Sequence, residues 1–215
     1  MLLLCRHDVG QLTLVRLLGL AAVSLIASPA IATTQEYHVD LTADNSVRFV
    51  SDAPIEDFDG VTDRIDGYVV LDQPVLSDAV GGSDTEFYFE VDLASLDTGI
   101  GLRNRHMRDN YLEVDRHPYA TFSGVIERVV QMEPETYGVT VSGNISIHGK
   151  DRPLRAPCDI TTRDDGYRAK CSFRVLLTDF DIKIPRVMFL KIADEIQLEL
   201  DFSVVPAGSA PGGQP

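Results

Sequence analysis

Hydrophobic and polar residues alternate without interruption along residues 139–147, VTVSGNISI. The odd positions carry valine, glycine or isoleucine, and the even positions carry threonine, serine or asparagine. Because side chains on a strand point alternately to opposite faces, this pattern predicts a β-strand with one apolar face and one polar face. The polar segment His148–Pro153 follows. It predicts a turn closed by a proline that a central strand does not accommodate.

Similar alternation recurs along the chain and predicts eight or nine antiparallel strands, each with one polar face. The pattern is clearest in residues 87–93 and 196–204. Weaker examples are Tyr37–Leu41, Ser46–Ser51, Arg64–Leu71, Tyr119–Val130, Leu154–Thr162 and Arg168–Leu177. Turn-forming pairs such as Asp59-Gly60 and Gly81-Gly82 separate the strands. A mainly β chain of this kind closes as a barrel or stacks as a sandwich.

The segment Gly101–Asp115 interrupts the strands and predicts one short helical crossover. It lacks strand alternation, and its apolar residues recur at a rough helical spacing. His117-Pro118 ends it, because the residue before a proline disfavours helical backbone. Arg105 and Arg108 are three residues apart and can share one face of this helix. That face either binds an anionic head group at a barrel mouth or is a solvated surface with local ion pairs.

Residues 1–32 have the features of a targeting signal. Arg6 and Arg16 supply positive charge, Leu17–Ile26 is an uncharged apolar run, and Ala30-Ile31-Ala32 fits the cleavage pattern. Cleavage after Ala32 predicts a periplasmic or secreted protein. An uncleaved membrane anchor is the alternative. The 16 residues from Leu17 to Ala32 fall short of the roughly 20 that a spanning helix needs.

The chain that remains after this cleavage is strongly acidic. Without residues 1–32 it has 17 basic and 32 acidic residues, a net charge of −15. This balance excludes a nucleic-acid binder and limits contact with an anionic membrane to a transient one. Residues 33–205 are predicted to be one domain, and residues 206–215, which have no core-forming residue beyond alanine, a disordered tail.

Cys158 and Cys171 are predicted to form a disulfide. Residues 156–162 and 167–175 have the pattern of two strands, joined by the turn Arg163–Gly166. Folding this hairpin about the middle of the turn places the two cysteines directly opposite each other. In an exported protein such a position favours a cross-strand disulfide over two buried thiols.

The residues show no signature of catalysis and no local metal motif. The G-x-S-x-G nucleophile motif is missing, so no enzyme is predicted. His38, His106, His117 and His148 lack H-E-x-x-H or paired-ligand spacing, so no metal is predicted unless distant positions assemble a site. His148 stands at a strand end, where a hydrogen bond to the backbone is expected. His106 can point from the helix toward the barrel interior.

Several ordered motifs together resemble the YceI family of exported bacterial proteins. They are Ser95-Leu96-Asp97-Thr98, then Arg103, His106, Met107 and Arg108, then Pro118 with Phe122-Ser123, then Gly143, Ile145–Gly149 and Pro153, and finally Thr178-Asp179-Phe180, Ile182 and Asp194-Glu195-Ile196. The resemblance covers about residues 37–205. It departs at Asn45, where the family often has histidine, and at Asp181, where glycine is common. It implies an eight-stranded antiparallel lipocalin-like barrel whose apolar lumen binds a polyisoprenoid or another long-chain amphiphile.

The implied lumen would be lined by large apolar side chains, unless those side chains simply pack against each other and fill it. The candidates are Phe49, Phe58, Phe87, Phe89, Leu93, Met107, Phe122, Val141, Ile145, Ile147, Phe180, Ile182, Ile184, Phe189 and Leu198. Head-group contacts at the mouth are expected from Arg105, His106 and Arg108. No cofactor is expected, although a lipid can be bound.

These inferences predict an exported, non-enzymatic binder or carrier of a long-chain lipid, of the polyisoprenoid or fatty-acid and amide type. One alternative is an enzyme acting on a lipid-like substrate, with His106 and a nearby carboxylate as acid and base. Another is a stress-response protein that works through protein contacts and exposes a large apolar patch. A homodimer is compatible with the sequence.

Overall fold

The computed structural model describes residues 34–51, 58–184 and 193–208, together with the backbone of residues 186–187 and 190–191. The predicted targeting signal, Phe189 and most of the predicted tail lie outside the described residues. Within the described part of the chain, no helix is long and apolar enough to cross a membrane.

The predicted mainly β architecture is confirmed. The strands are β1 (Gln35–Val39), β2 (Ser46–Ser51), β3 (Phe58–Thr62), β4 (Ile65–Leu71), β5 (Glu86–Asp92), β6 (Tyr119–Glu133), β7 (Thr136–Ile147), β8 (Lys150–Arg163), β9 (Gly166–Leu176), β10 (Arg186–Val187), β11 (Leu190–Lys191) and β12 (Glu195–Pro206). The helical segments are a 3₁₀ turn at Leu93–Ser95, α1 (Gly101–His106) continued by a π-helical turn at Met107–Leu112, and a 3₁₀ turn at Leu177–Phe180.

Eight antiparallel strands close into a barrel in the order β1-β4-β5-β6-β7-β8-β9-β12, and β12 pairs back onto β1. The hairpin of β2 and β3 extends the wall, because β2 continues along the same edge of β12 that β1 occupies. The eight-stranded barrel with one helical crossover between β5 and β6 therefore agrees with the prediction.

Asn45 carries the chain across the break between β1 and β2. Its side chain is buried, donates from Nδ2 to the carbonyl of Asp40 at 2.8 Å, and accepts at Oδ1 from the amide of Ser203 at 3.0 Å. The amide side chain thus replaces backbone pairing where β1 leaves β12. The departure from the family pattern at this position leaves the barrel intact.

Different elements cover the two ends of the barrel. At one end the loop between β4 and β5 is anchored by the amide of Leu76, which donates to the Tyr167 hydroxyl at 2.9 Å, and by Asp78 Oδ1, which accepts from the amide of Gln131 at 2.8 Å. Leu76 and Val80 are buried there. The helical crossover, the turn between β7 and β8, and the 3₁₀ turn after β9 lie at the other end, called the mouth below.

The prediction that His148–Pro153 forms a proline-closed turn was wrong. The turn is only His148-Gly149, with φ of 52° and 72°, and Pro153 lies within β8 opposite Asn144. In a two-residue hairpin the flanking pair is hydrogen-bonded and later pairs alternate. Ile147–Lys150 is the flanking pair, so Pro153 and Pro157 both occupy non-hydrogen-bonded positions opposite β7. Their nitrogens point away from β7, and neither proline removes a β7–β8 hydrogen bond.

The predicted β8–β9 hairpin and its disulfide are confirmed. Cys158 and Cys171 are paired across the two strands, with their Cα atoms 4.2 Å apart, and are joined by a disulfide. Pairs alternate from Arg163–Gly166, which flanks the turn, so the two cysteines form a non-hydrogen-bonded pair. Such pairs are the closer of the two kinds in an antiparallel ladder. The β8–β9 ladder ends at this pair.

Candidate functional site: an apolar cavity inside the barrel

A cavity of about 640 Å³ occupies the interior of the barrel. Every barrel strand and the helical crossover contribute to its wall, and nearly all lining side chains are aliphatic or aromatic. The alternation read from the sequence explains this, because a strand in a closed sheet points every second side chain inward. A single mid-size apolar ligand fits such a volume, which falls within the range of about 300–1,000 Å³ typical of small-molecule sites.

Most of the apolar residues predicted for the lumen line this cavity. They are Phe49, Phe58, Phe87, Phe89, Leu93, Met107, Phe122, Val141, Ile145, Ile147, Phe180, Ile182 and Leu198. Among the described residues, Ile184 is the exception: it follows the 3₁₀ turn at the rim and does not reach the cavity. Phe189 lies outside the described residues.

Lining residues from β9 and β12 are missing from the predicted set. Phe173 and Val175 of β9 and Leu200, Phe202 and Val204 of β12 all face the cavity. Their alternation was visible in the sequence, and extending it over the full length of each strand would have included them.

The cavity reaches the protein surface at the helical crossover. Ile100 and Leu102 line it, yet about half or more of each residue is exposed, 49% and 62%. Arg103 and His106 are the basic side chains in the lining. A ligand in the cavity would therefore have its apolar part inside the barrel and its polar end beside α1.

Two of the three predicted head-group residues do not line the cavity. Arg105 is exposed and does not line the cavity. Arg108 donates from Nη2 to the carbonyl of Leu96 at 2.8 Å and is absent from the lining, so it clamps the crossover to the chain before it. Helical periodicity placed both on one face. The change from α-helix to π-helical turn at Met107 alters the directions of the side chains that follow.

Arg103 was not among the predicted head-group residues, although it stands at the mouth. Its Nε donates to Thr98 Oγ1 at 3.0 Å, and its Nη2 donates to the Thr98 carbonyl at 2.8 Å. The guanidinium lies 5.1 Å from the centroid of the Phe58 ring, a cation–π distance. These contacts fix the charge at the rim.

Two tyrosines mark the opposite end of the cavity. The rings of Tyr37 and Tyr167 meet edge to face at 5.2 Å, and the Tyr37 hydroxyl donates to the carbonyl of Pro74 at 3.2 Å. Burial raises the pKa of the Tyr37 phenol, and the neighbouring Tyr167 raises it further. The hydroxyl stays neutral, so the deep end of the cavity carries no charge there.

The acid–base pair that a lipid-modifying enzyme would need is not formed by His106. In the described part of the chain, this side chain is exposed and forms no hydrogen bond or ion pair with a carboxylate.

A second group of polar side chains meets at the mouth, outside the cavity lining. Glu113, His117 and His148 place their ligand-type atoms within 4.8 Å of one another. His148 Nδ1 lies 3.0 Å from the carbonyl of Phe180, which confirms the expected bond to the backbone. The sequence predicted no metal site, because these residues are separated in the chain and only the fold brings them together.

Comparison with known proteins gives one family. The model of the YceI-like domain matches residues 37–204. A UPF0312 protein of Pectobacterium carotovorum is 27% identical over 175 residues, which cover 77% of this chain and 85% of the relative. A UPF0312 protein of Pectobacterium atrosepticum is 26% identical over the same length and coverage.

Solved structures share the fold. BcnA of Burkholderia cenocepacia superposes with a TM-score of 0.61 at 20% identity, covering 77% of this chain and 98% of BcnA. A polyisoprenoid binding domain from Saccharophagus degradans, implicated in plant cell wall breakdown, superposes with a TM-score of 0.60 at 17% identity, covering 79% and 98%.

Proposed function

The chain belongs to the YceI-like domain family, and from this we propose that it is an exported binder or carrier of one long-chain amphiphile, a polyisoprenoid or a fatty-acid or fatty-amide lipid. The observation that carries the proposal is the apolar cavity of about 640 Å³ that reaches the surface beside α1. The solved polyisoprenoid binding domain with the same fold supports the choice of ligand class.

The apolar tail of the ligand would be held only by its burial in the cavity. Each methylene transferred from water into an apolar site contributes about 0.8 kcal/mol, or about fourfold in affinity. Since the lining offers few polar side chains, affinity should depend on chain length more than on chemical detail. Short amphiphiles would bind weakly and long ones tightly.

The head group would sit beside α1. Arg103 is held there by Thr98 and Phe58, and His106 lines the same rim. A guanidinium with a fixed position suits a phosphate or carboxylate oxygen, since it donates in a planar fork. We therefore assign the head-group role, which the sequence had suggested for Arg105, His106 and Arg108, to Arg103 and His106.

Export is part of the proposal. Disulfides such as Cys158–Cys171 persist in oxidising compartments and are rare in the cytosol. Together with the targeting features of residues 1–32, this favours a periplasmic or secreted carrier. An intact mass that begins at Thr33 in the protein from the periplasm or medium would support it, and a full-length mass in the cytosol would contradict it.

A chain-length series tests the binding function. Saturated fatty acids and isoprenoid alcohols of increasing length would displace a fluorescent apolar probe from the purified mature protein. Affinity should rise by about fourfold per methylene and reach a plateau when the chain exceeds the cavity. Affinity that is independent of chain length would contradict a lumen site.

A lumen-filling variant shows where the ligand binds. Ala156 is 1% exposed and lines the cavity, so Ala156→Leu projects three further carbons into it. We expect at least about a tenfold loss of affinity for the longest ligands, equivalent to roughly two methylenes. Thr161→Leu, on the exposed face of the same strand, is the control and should bind as the wild type does. Equal affinities of the two variants would place the ligand elsewhere.

A further inference from the structure

Two imidazoles and one carboxylate converge where the helical crossover meets the β7–β8 turn. We propose that Glu113, His117 and His148 bind one divalent transition-metal ion of the zinc class. Their nitrogen and oxygen atoms lie within 4.8 Å of one another. Two histidines and a glutamate are a donor set that zinc accepts, with water in the remaining position.

His148 has the tautomer that a metal ligand needs. Its Nδ1 lies 3.0 Å from the Phe180 carbonyl, which can only accept, so Nδ1 carries the hydrogen. Nε2 of the neutral ring then has a free lone pair. That atom is buried and has no hydrogen-bond partner among the described residues. Metal-binding histidines are typically oriented in this way, through a hydrogen bond from the other ring nitrogen to a carbonyl or carboxylate.

A compact turn holds Glu113 and His117 together. Glu113 has a left-handed backbone, with φ of 47°, and its carbonyl accepts from the amides of Arg116 at 2.8 Å and His117 at 3.0 Å. These two bonds fold the chain back so that the His117 ring lies near the Glu113 carboxylate. Both ligands therefore come from one rigid segment.

Gly149 makes room for the His117 ring. A Cβ at Gly149 would lie 2.6 Å from His117 Cε1 and 3.0 Å from Nδ1, so any larger residue would displace the imidazole. The rings of His117 and His148 then meet at 5.0 Å between centroids. The turn residue thus fixes the second histidine beside the first.

Glu113 and His148 are close to each other but not hydrogen-bonded. His148 Nε2 is 3.9 Å from Glu113 Oε1, which is too long for a hydrogen bond. Arg116 Nη1 contacts the other carboxylate oxygen at 2.5 Å and leaves Oε1 available. Ligand atoms around a tetrahedral zinc lie about 3.4 Å apart, given zinc–nitrogen distances of about 2.0–2.1 Å. Small side-chain rotations therefore suffice to complete the site.

Isothermal titration with Zn²⁺ tests the site, using tag-free mature protein freed of metal by EDTA and dialysis. We expect one zinc ion per chain and a higher Tm in its presence, because binding to the folded state alone stabilises it. Ni²⁺ and Cu²⁺ should also bind, whereas Mg²⁺ and Ca²⁺, which prefer all-oxygen sites, should not.

The informative variant is His148→Asn. An asparagine amide can keep the hydrogen bond to the Phe180 carbonyl and tolerates the left-handed backbone at φ 52°, but it lacks Nε2. Its Tm in EDTA should match that of the wild type, while zinc affinity falls at least about 10–100-fold. Glu113→Gln should weaken zinc binding in the same way. His38→Ala, which removes an exposed histidine bonded to Glu36, is the control and should leave it unchanged.

Three results would overturn the proposal. They are no stoichiometric zinc binding by the wild type, unchanged zinc affinity in both His148→Asn and Glu113→Gln, and an equal loss of affinity in His38→Ala. The last result would show that zinc binds to surface histidines in general.

Discussion

Single residues with positive φ show where this sequence accepts local strain. Glu113, Glu135, His148 and Asp181 all adopt left-handed backbone, which costs a non-glycine residue energy. Glu113 and His148 belong to the proposed metal site, and Asp181 binds Lys150 Nζ at 2.9 Å, an ion pair that lowers the pKa of its carboxyl.

Glu135 offers a test of this strain away from any site. It is exposed at the second position of the turn between β6 and β7, with φ of 64°. Glu135→Gly removes a penalty of about 1–2 kcal/mol but costs about 0.5–1 kcal/mol in unfolded-chain entropy. The free energy of unfolding in urea denaturation should therefore rise, by up to about 1.5 kcal/mol.

Glu133→Gly is the matched control for that substitution. It removes the same charge from the same hairpin, but at the last residue of β6, whose φ is not positive. Glycine in a strand is unfavourable, so stability should fall by about 0.5–1 kcal/mol. Equal effects of the two variants would mean that strain at residue 135 contributes nothing.

The residue types in the cavity were predictable because burial follows directly from alternation. Phe87 and Ile145, for example, were predicted to face the lumen from the sequence alone. Arg105 and Arg108 do not line the cavity. For Arg108, the prediction assumed regular helical spacing through a segment that becomes π-helical at Met107. The proximity of Glu113, His117 and His148 depends on how the barrel closes, which no local pattern contains.

At the level of elements, the disulfide ties together the middle of the β8–β9 hairpin. Cys158 and Cys171 are 13 residues apart, and closing a loop of that size stabilises a fold by about 3 kcal/mol in the chain-entropy account. The double variant Cys158→Ala/Cys171→Ala should lose about that much stability in urea. Wild-type protein in a strong reductant should lose a similar amount of stability. A variant as stable as the oxidised protein would show that the bond constrains nothing.

The β8–β9 pairing ends at the disulfide because β8 contains prolines. The next pair in register would need a hydrogen bond from residue 157, and proline has no N–H to donate. Pro153, four residues earlier, likewise has no N–H to donate to β9. The prolines of β8 therefore end its pairing with β9. The sequence analysis had instead expected Pro153 to close a turn.

Hydrogen exchange should detect this opening residue by residue. In β9 the amides of Arg168, Lys170 and Ser172 point toward the paired part of β8, whereas the amide of Arg174 points toward its unpaired part. Phe173 points to β12 and is paired. Slow exchange is expected at residues 168, 170, 172 and 173, and fast exchange at residue 174. Uniform protection along β9 would contradict the proline account.

At the level of the whole molecule, the alternation predicted antiparallel strands but allowed either a barrel or a sandwich. The resemblance of the ordered motifs to the YceI family was what predicted the eight-stranded barrel. What alternation could not decide was whether inward side chains fill the barrel or surround a cavity. The cavity depends on the summed volume of the lining side chains, which only the three-dimensional packing determines.

The central claim is that this cavity holds one long-chain amphiphile in the cell. Native mass spectrometry of the mature protein, purified from its source without detergent, measures this directly. The account predicts a 1:1 complex with a long-chain lipid that solvent extraction recovers from the wild type and much less from Ala156→Leu. Protein of the bare chain mass, with no lipid in the extract, would contradict it.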